Sequence, residues 1–401
     1  MEMPRGSLTS SVVLSYVAFV LVGVSAGVGG VLIPAQIRDY DIDMATIGLT
    51  FVTFSVGFFV AGTSVGALIS RLGMRGSLLA GGACFVAAEL FMATRPAFLL
   101  FVVVQALAGY GIGVLESALN VHLSALPSAA SLLNRLHGFF GVGALLGPLL
   151  ASWMLTFAAW PAVLLVLALL TVPVPLGFAV VLPRDGARGE IGDQTAPARH
   201  GMLRTILRDR AVLLAAAFLA VYVGLEVSTG NWAYTYLVDE RGSGALAAGW
   251  AVSAYWLGLT VGRFVISPLA NRVGVSSART MLGCLVAVVV VTLLTWAAPG
   301  AAVAGGFAAL GFFLGPLFPT AMAMVPTMTE PSLVPTAIGV MNGVSVIGGA
   351  ALPWLAGAIA EGVGIGVLLG YVAVLGVAQL VLWQAAVTTT NARSAQADVG
   401  G

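Results

Sequence analysis

The stretch Leu107–Leu123, LAGYGIGVLESALNVHL, lies in an apolar run longer than the core helix of a soluble domain needs, and it keeps one carboxylate, Glu116, inside that run. An acid within a bilayer is costly and is rarely retained without a partner or a function. Gly109, Gly111 and Gly113 leave room for a second helix to approach closely, and Asn120 follows one turn after Glu116 on the same face. The pattern reads as a polar site lining a path through a membrane.

Composition points the same way. The chain is 59% hydrophobic and 8% charged, against about a quarter charged in an ordinary soluble protein. All 17 basic residues are arginine, and the net charge is +1. No basic patch with interleaved aromatics accompanies it, so no nucleic-acid partner is expected. Cys84 and Cys284 both fall in apolar runs and read as small buried hydrophobes, not as a disulfide or metal ligands. No phosphate-cradling loop, metal-ligand cluster or nucleophile with a base is present, so neither an enzyme nor a bound cofactor or metal is expected. The first apolar segment lacks a small-residue cleavage site at signal-peptide distance and is expected to be a retained helix.

A spanning helix needs about 20 apolar residues. Turns and charges, taken as boundaries, predict twelve: 10–34, 45–69, 77–94, 97–124, 132–157, 161–182, 211–237, 246–270, 278–297, 301–326, 334–359 and 363–386. The largest interruption is Pro183–Arg210. It predicts an N-terminal half over 1–182, a linker loop over 183–210, and a C-terminal half over 211–401 ending in a short tail. If the helices alternate, one side receives Arg5, Arg71, Arg75, Arg135, Arg184, Arg188, Arg199, Arg204, Arg208, Arg210, Arg272, Arg279 and Arg393. The other side holds only Arg38, Arg95 and Arg241, beside Asp39, Asp41, Asp43, Asp239, Glu240 and Glu361. The positive-inside rule then puts both termini and the central loop in the cytoplasm of a bacterial plasma-membrane protein.

The two halves echo each other. Ser70-Arg71-Leu72-Gly73 ends the second predicted span and Asn271-Arg272-Val273-Gly274 the eighth. Gly109 and Gly113 are matched by Gly311 and Gly315, and Gly141 and Gly147 by Gly343 and Gly349, in the same order on matching spans. The expected fold is an all-α membrane protein of twelve transmembrane helices in two six-helix halves. This resembles the parallel repeat of the major facilitator superfamily, which implies a solute site between the halves near the bilayer midplane.

A closer resemblance lies in the fourth and fifth spans. Leu115–Asn120 (LESALN), Asn134-Arg135-Leu136-His137 and Phe140-Gly141-Val142-Gly143-Ala144 resemble the fucose–galactose–glucose:proton symporter family, as do Tyr222-Val223-Gly224-Leu225-Glu226 and Trp232 in the seventh span. The resemblance implies that Glu116 matches a glutamate that titrates during transport, that His137 takes the place of a glutamine near the sugar, and that Glu226 stands for a Gln or Glu. An acid of the first span found within that family has no counterpart here, where Gly30 precedes Val31-Leu32-Ile33-Pro34.

Three acids fall inside predicted spans: Glu89, Glu116 and Glu226. Burial favours the protonated form of a carboxylate, and a bound proton neutralises it for the return step of a carrier. Glu116, Glu226 and His137 are therefore the expected proton-coupling residues. The alternative for each is a structural hydrogen bond between helices, or a helix cap for His137. Glu89 and His122 are expected near the membrane interface. Asn120, Asn231 and Asn342 can bond solute hydroxyls or a neighbouring helix. Trp232 and Trp256 are the aromatic pocket candidates, while Tyr234 and Tyr255 are assigned to an interfacial aromatic belt. Gly66, Arg71, Gly73 and Arg75 resemble the superfamily's cytoplasmic latch between helices, with Ser70 near the place of its usual acid. Arg263 either snorkels, pairs with a helix end, or serves as counter-charge to Glu226.

Two functions fit: a proton-coupled importer of a sugar or polyol, and a proton-exchanging exporter of drugs or secondary metabolites. Gly143-x-x-x-Gly147-Pro148, followed by Ala151-Ser152, partly resembles an exporter motif. A receptor or assembly factor on a transporter fold is the third class. The expected partners are a small solute and the lipid bilayer, with the chain acting as a monomer and the proton as its coupling ion.

Overall fold

Gly73 sits where the backbone turns at φ 71° and ψ 172°, a conformation that side chains disfavour. It breaks the otherwise continuous helical segment Leu49–Ala93. The apolar stretch around it, Met44–Ala93, has 50 residues; as one straight helix it would measure ~75 Å, more than twice the hydrocarbon thickness. It is therefore two spans. With that division, the eleven helices long and apolar enough to cross a membrane become the twelve expected.

The computed structural model describes residues 5–183, 200–300 and 302–400. Arg184, Arg188 and Arg199 of the central loop lie outside them. The spans are α1 (Arg5–Tyr40), α2 (49–72), α3 (74–93), α4 (Phe98–Ser124), α5 (Ala129–Met154), α6 (Trp160–Val181), α7 (Arg210–Thr235), α8 (Ala245–Arg272), α9 (Ser277–Ala297), α10 (Ala302–Met328), α11 (Val334–Val363) and α12 (Leu368–Gly400). α1 continues six residues beyond Pro34, and α12 continues well past the predicted end at 386. A single proline removes only one helical bond, which a membrane helix tolerates. α10 is two pieces, Ala302–Leu314 and Leu317–Met328, and α7 ends in a π turn, Tyr236–Glu240.

Local chemistry sets several of these boundaries. Asp209 caps α7 by accepting from the amides of Ala211 at 3.0 Å and Val212 at 3.3 Å. Asp43 caps the short helix Met44–Ile47 in the same way, accepting from Thr46 at 2.6 Å. The hydrogen bonds from Thr46 hold the Asp43 carboxyl below the usual carboxylate range.

Contacts divide the chain into two units. The first holds α1–α6, together with Ser243–Ser253; the second holds α7, the rest of α8, and α9–α12. In the first unit α1 packs on α5, and α2 and α3 pack on α4. Phe19, Leu78, Leu115, Leu119, Leu136 and Phe178 form part of its buried core. In the second unit α7 packs on α11 and α12. The internal repeat is visible in how helices meet. A Cβ on Gly109 of α4 would strike the carbonyl of Phe54 in α2, and a Cβ on Gly311 of α10 would strike that of Tyr255 in α8. The matched glycines thus hold matched helix pairs at backbone contact.

Candidate functional site

Glu116 lies past the middle of α4 and is half-buried. Its carboxylate has no hydrogen-bond or ion-pair partner among the described residues. Neighbouring Gly113, Leu115 and Ala118 are buried, so the acid occupies an opening in a packed helix surface and not a lipid-facing stripe. One turn on, Asn120 donates through Nδ2 to the Glu116 backbone carbonyl at 2.8 Å. The amide is folded along its own helix and stays half-buried beside the acid. His137 of α5 is half-buried with its ring edge-on to Phe19, centroids 5.6 Å apart. It is not a partner of Glu116 in this structure.

The second unit places Glu226 in a denser polar setting. Glu226 of α7 is half-buried. The Tyr222 hydroxyl hydrogen-bonds its carboxylate, and the Arg263 guanidinium of α8 acts on it by charge. Tyr255 of α8 donates to the Glu226 backbone carbonyl at 3.0 Å. Both polar side chains also reach the break in α10. Tyr222 donates to the Leu314 carbonyl at 3.2 Å, and Arg263 Nε to the Gly315 carbonyl at 3.5 Å. Proline explains why those acceptors are open. Pro319 has no N–H, so the Gly315 carbonyl four residues earlier lacks its helical donor, and Leu314 ends the first piece of α10. Of the alternatives for Arg263, its electrostatic partner is Glu226, with the helix-end carbonyl as its hydrogen-bond acceptor.

The other expected residues divide. Asn231 is half-buried and donates to the Val227 carbonyl at 2.9 Å, again along its own helix. Asn342 is exposed. Trp256 is 5% exposed, lies against Gly230, and has an indole N–H with no partner among the described residues. Trp232 is fully buried and donates to the Pro353 carbonyl of α11 at 2.8 Å. It is part of the interior packing of its unit and opens onto no pocket here. Tyr234 and Tyr255, assigned to an interfacial belt, are instead buried at 5% and 0% exposure. The belt pattern misled because a tyrosine near a span end looks alike whether its ring faces lipid or a neighbouring helix. Glu89 and His122 are likewise buried rather than interfacial. One Glu89 oxygen is unpartnered, and His122 bonds the Ser11 hydroxyl of α1 at 3.2 Å.

In the latch, Gly73 makes the turn between α2 and α3 and its carbonyl accepts from the Ser77 hydroxyl at 2.8 Å. Gly66 and Arg75 are half-buried and Arg71 is exposed, and neither guanidinium has an ion-pair partner among the described residues. The sequence pattern did not single out Tyr222 as a hydrogen-bonding residue. The signal that could have found it was Pro319 beside Gly315, which announces carbonyls in need of donors at mid-membrane.

The sequence matches the family model of the Major Facilitator Superfamily over residues 14–242 and 223–398. It is 29% identical over 389 residues to "Bypass of stop codon protein 6" of Saccharomyces cerevisiae, covering 88% of this chain and 78% of that one. It is 25% identical over 356 residues to a glucose/galactose transporter of Brucella abortus, covering 84% of each. Among solved structures, the nucleoside transporter NupG (D323A mutant) is similar with a TM-score of 0.77 at 14% identity, over 96% of this chain and 99% of that one. The E. coli fucose:proton symporter FucP (N162A) is similar with a TM-score of 0.61 at 17% identity, over 93% and 97%. The chain belongs to the Major Facilitator Superfamily, as a multi-pass membrane transporter and not an enzyme.

Proposed function

We propose that this transporter moves a sugar or related polyol by proton symport, through alternating access of its two halves. Glu116 carries the reading: it is an acid in a packed membrane helix, half-buried and without a partner among the described residues. Such a group is costly as a charge and cheap as a neutral acid, so it gains from taking a proton before the site closes. The Brucella glucose/galactose transporter supports the solute class, and the likeness to a fucose:proton symporter supports the coupling. Asn120, Asn231, Trp256 and Asn342 supply polar and aromatic groups for hydroxylated solutes. The proton is the only coupling species invoked, with no cofactor or metal. The protein works as a monomer in a bacterial plasma membrane, with both termini and the central loop in the cytoplasm.

Purified protein in liposomes containing a pH-sensitive dye tests this. Hexoses, deoxyhexoses and polyols are added outside, then amphipathic antibiotics and dyes. Acidification of the lumen on adding a sugar, absent in Glu116→Gln, is the expected result. Silence with every sugar and proton counter-movement with the amphipathic panel would reassign the protein to efflux.

A further inference from the structure

Arg263 and Glu226 act on each other without being in ion-pair contact. Opposite charges in a low-dielectric interior normally close on each other, because an unpaired charge there is expensive. Here each is anchored elsewhere. Arg263 is drawn to the Gly315 carbonyl at the α10 break, and the Glu226 carboxylate is held by Tyr222. The guanidinium has five N–H donors, of which Nε alone has a hydrogen-bond partner among the described residues. Both side chains remain half-buried and accessible. Further along the same pair of helices, Trp256 lies against Gly230, one turn beyond Glu226, and its buried indole N–H is also without a partner.

The surplus is therefore matched: acceptor capacity on the carboxylate, donor capacity on the guanidinium, and an apolar ring with a spare donor beside them. We propose that Glu226 and Arg263, set around the break of α10, form a subsite for a vicinal diol of the solute, with Trp256 against the adjoining ring face. Glu226 accepts the hydroxyl hydrogens while Arg263 donates to the hydroxyl oxygens. A diol fills the space between two charges that would otherwise each need water. The inference rests on the sugar or polyol reading above and adds the residues of one subsite within the second unit.

Binding of hexoses and hexitols to the purified protein, measured by titration calorimetry with each monodeoxy analogue, tests it. For the native protein, removing one hydroxyl of the recognised diol weakens binding by about tenfold or more. In Glu226→Gln and Arg263→Gln that discrimination collapses, so parent and analogue bind alike. Arg263→Lys keeps the charge with fewer donors and serves where the glutamine variant does not fold. Its discrimination falls between the two. Discrimination that survives unchanged in a folded variant overturns the subsite and leaves the sugar reading standing. Absence of binding by the native protein across the whole panel overturns both.

Discussion

The indole Nε1 of Trp160, at the start of α6, donates to Asp39 Oδ2 near the end of α1 at 2.8 Å. Arg95, in the turn between α3 and α4, reaches the same carboxylate through Nε at 2.9 Å and through Nη2. One acid thus ties three parts of the first unit. The two bonds differ in worth. The Arg95 side chain is 54% exposed, so its pairing contributes under about 1 kcal/mol. Trp160 is buried, and leaving its N–H unpaired costs about 1–3 kcal/mol. Asp39→Ala should lower the unfolding temperature in detergent clearly more than Arg95→Ala. Equal losses would mean that the ion pair, not the indole bond, dominates the tie.

The glycine repeat makes a prediction with opposite signs. A methyl on Gly311 meets the backbone of Tyr255, which cannot move aside, so Gly311→Ala should destabilise by about 1–3 kcal/mol. Gly109→Ala should do the same through Phe54. Gly283 in α9 is exposed and has open space around it, so alanine there should be neutral or stabilise by up to about 1 kcal/mol. Parallel thermal scans of the three variants check this, and destabilisation at Gly283 of the same size as at Gly311 would defeat it.

Trp232 gives a third test. Its ring is fully enclosed and its N–H serves the Pro353 carbonyl. Trp232→Phe keeps most of the apolar volume and strands that acceptor, so stability should fall by about 1–3 kcal/mol. Solute affinity measured on the folded variant should stay unchanged. A loss of affinity with unchanged stability would return Trp232 to the pocket.

The fold was legible because membrane helices announce themselves by length and polarity, residue by residue. The break at Gly73 and the matched glycines 109 and 311 could be placed from spacing alone. The site was less legible because its geometry depends on which way side chains turn. Asn120 and Asn231 look like solute ligands in sequence, yet each folds its Nδ2 back along its own helix. Trp232 and Trp256 look equivalent, yet one N–H is satisfied by a neighbouring helix and the other has no partner among the described residues. Arg263 becomes interpretable only when Pro319 is read as the cause of an open carbonyl 52 residues away in sequence from the arginine that meets it.

Glu116→Gln separates proton carriage from solute binding. Glutamine keeps the size and hydrogen-bonding capacity of the neutral acid but cannot release a proton, so the variant resembles a carrier that is permanently loaded with its coupling ion. A loaded symporter can still exchange solute across the membrane, because both directions of exchange use the loaded form. Net uphill accumulation requires the empty, deprotonated carrier to return. The expected outcome in liposomes is that exchange of labelled solute persists, while accumulation driven by a pH gradient falls to simple equilibration and solute-dependent acidification disappears. Accumulation at the native level would remove Glu116 from coupling. Loss of exchange together with accumulation, in a folded variant, would make the carboxylate a solute ligand.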